Sequence, residues 1–292
     1  MLKQDWEDKI IKAILFGAAS TSIIVVLLIF FFMLKESTPF ILKSSIGVFF
    51  DPKWMPVSFV KEHFGILPLL CGSLLVTFLA ILIAVPFGVI GAVYISELAR
   101  PLEKEILKPF IELLAGIPSV VIGFFGLVVL APIVKNIFNL DTGLTALTGA
   151  LLLALMAVPT IISVADDAIR SVPASYKQAS MALGATKMQT IWKVTFPDAL
   201  PGIIAAIMLG IGRVIGETMA VMMVTGNAAV ISAIPFDSVR TMTATIAAEM
   251  GEVAFGSDHY KALFFIGTVL LFLTFGLNMI AQKVLKKYRR VS

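Results

Sequence analysis

Six stretches of this sequence are apolar over lengths that only a lipid environment accommodates: residues 10–34, 67–95, 113–133, 146–165, 201–224 and 263–284. A helix needs about 20 residues to cross a hydrocarbon core. Bilayer depth offers no water to satisfy backbone N–H and C=O groups, so each run must close its hydrogen bonds within itself as a helix. Barrel strands would be about ten residues long and alternate in polarity, and these runs do neither. The expected fold class is therefore all-α, an integral membrane helical bundle of about six transmembrane helices. The composition agrees: 59% of residues are hydrophobic and 14% charged, against about 25% charged in soluble domains. A chain so poor in charge needs lipid over much of its surface. Its basic residues fall at the ends of the apolar runs and form no face of their own, which excludes nucleic acid as a partner.

Those basic residues also orient the bundle. With the N-terminus placed in the cytoplasm, fifteen Lys and Arg fall on the inner side and seven on the outer, with Arg213 inside a span. Both termini are thus expected in the cytoplasm. The chain divides into three regions: residues 1–66, an N-terminal transmembrane helix plus outer segment; residues 67–285, a core with a cytoplasmic segment at 171–202; and residues 286–292, a basic tail. The first run is too long for a signal-peptide core and lacks a small-residue cleavage site, so it is read as a retained helix. Cys71 is the only cysteine, which excludes an internal disulfide or a cysteine metal cluster. His63 and His259 read as ordinary histidines of polar connections. No metal site and no cofactor are expected on the chain, and no catalytic residue. Neither H-E-x-x-H nor G-x-S-x-G occurs, which argues against an intramembrane enzyme.

The cytoplasmic segment carries a helix–elbow–helix pattern. Ser175 and Gln178 fit an S-x-x-Q capping box, as do Thr186 and Gln189. Gly184 suits the left-handed position that ends a helix, and Pro197 and Pro201 are expected to stop the second helix. An amphipathic hairpin lying on lipid headgroups is one reading. The small residues around the elbow (Ala179, Ser180, Gly184, Ala185) favour the other, a docking knob for a partner protein.

In the fifth run, Arg213 and Glu217 stand four residues apart in apolar surroundings, on one face of a continuous helix. They could form an ion pair that fixes packing. Ionisable groups at membrane depth more often line a pathway, and a guanidinium fork suits an oxyanion; Glu217 would then hold Arg213 and release it. Arg240, Glu249 and Glu252 lie in the outer segment at 227–261. They mark either a solvated amphipathic helix, or a docking face or vestibule of the pathway. Pro118 and Pro159 are expected to kink their helices.

The stretch QASMALGATKMQTIWKVTFPDALPGI (178–203) resembles the cytoplasmic loop of ATP-binding-cassette importer permeases, E-A-A, three residues, G, then I-x-x-P. Gln178 stands where the family has Glu, and Ala179, Ser180, Leu183, Gly184 and Ala185 fall on the pattern. GRVIGETMAVMMVTGN (212–227), GIPSVVIGFFGL (116–127) and RTMTATIAAEMGE (240–252) resemble phosphate-importer permeases of the PstC type. The resemblance implies the type I importer permease fold and a non-catalytic transport subunit of a bacterial or archaeal inner membrane. It implies four kinds of partner: a second permease of the PstA type, an ATPase dimer of the PstB type, a phosphate-binding protein of the PstS type, and lipid. The first short helix, from Ser175 to Ala185, would dock the ATPase. The chain has no G-x-x-x-x-G-K-[ST] phosphate loop, so ATP would be hydrolysed on a partner. Arg213 and Glu217 would be needed for transport. A permease for sulfate, molybdate or tungstate is the nearest alternative, and a channel or scaffold the more distant one.

Overall fold

The computed structural model describes residues 2–44, 46–58 and 61–289. α1 (Leu2–Lys43) is followed by a connecting segment with a two-residue antiparallel pair, β1 (Trp54–Met55) and β2 (His63–Phe64). Next come α2 (Leu67–Val93), α3 (Pro101–Gly116), α4 (Ser119–Phe125), α5 (Ala131–Phe138) and α6 (Ala146–Arg170). The chain continues through α7 (Ala174–Ala182), α8 (Lys187–Thr190), α9 (Phe196–Gly216) and α10 (Met219–Val224), and ends with α11 (Met242–Glu249) and α12 (Asp258–Arg289). Among the described residues, three π-turns join elements without breaking the helix: Tyr94–Leu98 extends α2, Gly126–Leu130 links α4 to α5, and Ile191–Thr195 links α8 to α9. Among the described residues, six helices are long and apolar enough to cross a membrane: Ile11–Lys43, Leu67–Leu98, Ser119–Phe138, Ala146–Arg170, Lys187–Gly216 and Asp258–Lys283.

The core lies where α2, α6 and α9 pack together, through Ala80, Ala84, Ala150, Ala154, Ala157, Ile161 and Ala206. Lipid tails are as apolar as leucine, so helices associate in a bilayer by close packing, and small residues permit it. Ile161 shows the fit: a Cβ on either Gly88 of α2 or Gly210 of α9 would meet its side chain at 2.6 Å. α6 is the central helix, with 61% of its most apolar window buried, while α1 has none and packs along α12. The outward face of α2 (Phe78, Leu82, Phe87) stays exposed, as a lipid-facing surface should.

Several expectations need correction. The third span is not 113–133: α3 ends at Gly116, Ile117 and Pro118 are extended, and the crossing helix starts at Ser119. Pro118 breaks the chain rather than kinking it, because a proline pushes the residue before it out of the helical region. The fifth span also divides, since Glu217 is extended (φ −70°, ψ 133°) and α10 restarts at Met219. Conversely, Pro197 and Pro201 do not stop a helix. The wide π-turn before Pro197 makes room for its ring and missing N–H, so the helix runs from Lys187 to Gly216. Residues 286–289 continue α12, and 290–292 lie outside the described residues.

Candidate functional site

The two breaks, at Ile117–Pro118 and Glu217–Thr218, meet near Arg213. Its Nη1 donates to Thr160 Oγ1 at 3.1 Å, and its Nη2 donates to the carbonyl of Ala115 at 3.4 Å, at the end of α3. Thr160 follows Pro159 in α6. The guanidinium is half-buried and, among the described residues, forms no ion pair. Glu217 does not hold it. With the backbone extended at 217, the i, i+4 geometry of a continuous helix is lost. The Glu217 carboxylate turns the other way and caps α10, accepting from the amides of Thr218 (3.1 Å) and Ala220 (3.2 Å). Its backbone carbonyl accepts from Thr243 of α11 at 2.9 Å. The positive charge of Arg213 therefore faces neutral oxygens only, and the negative charge of Glu217 is spent on backbone amides. Beside Arg213, a Cβ at Gly212 or Gly216 would meet nothing within 4 Å, so this face of α9 is open. An apolar cavity of about 320 Å3, lined by Leu114, Ile117, Val121, Ile122, Phe125 and Leu155, lies at the first break.

One consequence separates capping from charge. Glu217→Gln keeps an acceptor oxygen for the α10 amides, whereas Glu217→Ala removes it, at a cost of about 1 kcal/mol for a lost cap. Glu217→Ala should lower the melting temperature of the purified chain, and Glu217→Gln should leave it close to wild type. Equal losses in both would mean the charge itself is what matters.

The outer residues form a second cluster. α11 is not a solvated helix, since Met242, Thr243, Ala244 and Thr245 are buried. It is seated by its Met242 amide on Ser73 Oγ of α2 (2.9 Å). Arg240 precedes α11 and pairs with Glu249 at its end (2.6 Å); Arg240 Nε also donates to the Asn227 carbonyl. Glu249 accepts as well from Trp54 Nε1 (3.1 Å) and contacts His259 Nε2 (2.8 Å). His259 is therefore a partner of Glu249 in the first turn of α12, not a loose loop residue. Glu252 lies beyond α11, exposed. Glu62, Glu249, Glu252 and His259 line a cavity of about 660 Å3 at this end of the bundle. Nearby, Asp51 faces His63 at 2.9 Å. Burial alone would raise the Asp51 carboxyl, but the bonds from His63 and the Lys53 amide outweigh it and hold the group below its ordinary value.

On the other side, α7 has no capping box at Ser175. It starts at Ala174 behind Pro173, whose extended backbone already sets the entry, so Ser175 and Gln178 are exposed residues within the helix. The Thr186–Gln189 box does form. Between them, Gly184 adopts φ +87°; its amide bonds to Met181 O (3.0 Å) and the Ala185 amide bonds to Ser180 O (3.2 Å). That pattern is a Schellman end, which needs a left-handed residue. Leu183 stands 90% exposed at the tip, with Ala179 exposed and Ser180 and Ala185 half-buried.

An apolar bundle with an exposed elbow suggests a transporter, and comparison decides it. Residues 84–290 match the family described as binding-protein-dependent transport system inner membrane component. The chain belongs to this family. A probable ABC transporter permease, YqgH of Bacillus subtilis, is 42% identical over 82% of this chain and 76% of its own length. The phosphate transport system permease PstC of Mesorhizobium japonicum is 37% identical over 80% and 76%, and that of Xylella fastidiosa 30% identical over 97% and 92%. Among solved structures, a bacterial alginate importer aligns over 96% of this chain and 98% of its own, with a TM-score of 0.59 and 15% identity. The MetNI methionine transporter aligns over 76% and 94%, with a TM-score of 0.57 and 18% identity. The likeness to importer permeases is thus one of fold as well as of sequence. Membership makes the chain a multi-pass membrane transport subunit that works with a separate binding protein.

Sequence reasoning missed Thr160 and Ala115 as the partners of Arg213. The proline-broken G-I-P at 116–118 was the available signal. It also missed Trp54 and His259 around Glu249, which 195 and 10 residues of separation concealed.

Proposed function

We propose that this chain is the PstC-type permease subunit of an ATP-driven phosphate importer. It would form the translocation route with a PstA-type second permease, take its drive from a PstB-type ATPase dimer, and receive phosphate from a PstS-type binding protein. The observation that carries this reading is Arg213: a guanidinium kept half-buried between two helix breaks, with neutral ligands and, among the described residues, no carboxylate paired to it. An isolated charge at membrane depth costs about 3 kcal/mol on insertion scales. An arrangement that leaves it uncompensated suits a solute that brings the opposite charge. Discontinuous helices around such a point are a recurring design of transport sites. The relatives named for phosphate transport support phosphate as that anion.

The elbow at Ser175, Gln178, Ala179, Ser180, Leu183, Gly184 and Ala185 is the ATPase dock in this reading, and both termini share its cytoplasmic side. The outer cavity, lined by three carboxylates, repels an anion, so Arg240, Glu249 and Glu252 serve docking of the binding protein better than passage of phosphate. ATP hydrolysis is assigned to the partner. Vesicles holding the four-component complex should take up phosphate only with ATP, and excess sulfate or molybdate should not compete. Competition by either would move the assignment to another oxyanion, and uptake without the ATPase would favour a channel.

A further inference from the structure

The elbow is tied to two different spans. Lys177 of α7 donates through Nζ to Glu97 Oε1 in the π-turn ending α2, and both side chains are largely buried, 22% and 12% exposed. Ser180 Oγ lies 3.0 Å from Thr190 Oγ1, immediately before the π-turn that enters α9. A π-turn is rare and tends to occur where a helix has work to do; two of the three among the described residues sit at these two ties. Each also holds a buried hydroxyl with no hydrogen-bond partner among the described residues, Ser96 and Thr195.

From Glu97 the contacts continue along α3. Lys104 donates to the Ser96 carbonyl at 2.7 Å, and Tyr94 donates to Glu103 at 3.0 Å. The Arg100 amide, then the Tyr94 hydroxyl, hold the Glu103 carboxyl below its ordinary value. Midway, Lys108 reaches Asp166 of α6 at 3.6 Å, which Arg170 also holds. At its far end, α3 presents the Ala115 carbonyl to Arg213. No residue of α3 is fully buried, and these polar contacts add to its packing along α6.

We propose that the Lys177–Glu97 pair is a strap that carries movement of the elbow into the end of α2 and into α3, and through the Ala115 carbonyl to the Arg213 guanidinium. Lys177 and Glu97 are then positioning residues for transport. The π-turn supplies the two-state element: reverting to α-helical bonding shifts the chain beyond it by one residue, about 1.5 Å along the axis. This inference rests on the reading of the elbow as the ATPase dock.

The test uses the complete complex in vesicles, with Lys177→Met, Glu97→Gln and the exchange of Lys177→Glu with Glu97→Lys. Phosphate carried per ATP hydrolysed is one readout. The other does not depend on the solute: labelling of Gly212→Cys, in a Cys71→Ser background, by a membrane-impermeant thiol reagent with and without ATP. Each single variant should retain the ATPase on co-purification. In each, uptake per ATP and the ATP-dependent labelling change should fall about tenfold, within the usual range of coupling between sites. The exchange should restore most of both. Unchanged ratios in the single variants would overturn the strap, as would loss of the ATPase from Lys177→Met, which would make Lys177 part of the dock. If the wild-type complex carries no phosphate, the solute assignment fails while the labelling still judges the strap.

Discussion

Arg213→Gln is expected to abolish phosphate uptake while the complex still assembles. Glutamine keeps a donor for Thr160 and Ala115, so the helix breaks and the α9 packing should survive. What it removes is the charge and the two-pronged donor. Hydrogen bonds to charged groups are worth about 1.5–3 kcal/mol each, so losing a bidentate pair lowers uptake about a hundredfold or more. Arg213→Lys keeps the charge without the fork and should retain a small part of the activity. The measurement is labelled-phosphate uptake by vesicles, with co-purified subunits counted in the same preparation. Normal uptake by Arg213→Gln would leave the guanidinium a packing element.

The second large effect is at the elbow. Gly184 sits at φ +87° with nothing within 4 Å of a Cβ built there, so a side chain meets no clash within this chain. The cost of replacing it is conformational. A left-handed backbone costs an L-residue about 1–2 kcal/mol, and a β-branched residue is a genuine outlier there. Gly184→Val should therefore deform the Schellman end and displace Leu183, weakening ATPase co-purification about 5–30-fold, the factor that 1–2 kcal/mol represents. Gly184→Asn, which tolerates the left-handed region, should lose far less. Membrane insertion should not change in either. Equal recovery of the ATPase with Val and with Asn would count against the elbow as a dock, or against its backbone as the determinant.

Much of the architecture was legible because a bilayer leaves so few options: apolar runs of this length must become helices, and six of them did. The elbow was legible for a local reason, since a glycine at the end of α7 and a Thr–Gln box at the start of α8 act within a few residues of themselves. The breaks at 117–118 and 217–218 were not. An apolar run gives no sign of where its helix stops, and reading Arg213 and Glu217 as i, i+4 neighbours assumed that it did not. Once the helix is broken, Glu217 satisfies the α10 amides that the break frees and its carbonyl receives Thr243, which lies 26 residues away. Ser175 misled in the opposite sense: its capping pattern is present, but Pro173 two residues earlier already sets the start. Tertiary partners of this kind leave only faint traces in a single sequence.

In the proposed function, Arg213 carries a charge left open for an anion. A density map of the assembled complex, with the binding protein docked and phosphate trapped by an ATPase variant that cannot hydrolyse ATP, tests it most directly. Phosphate oxygens are expected about 2.7–2.9 Å from the Arg213 nitrogens, with Glu217 still bonded to the α10 amides. A guanidinium locked instead against a carboxylate, from Glu217 or from the second permease, with phosphate held elsewhere, would contradict it.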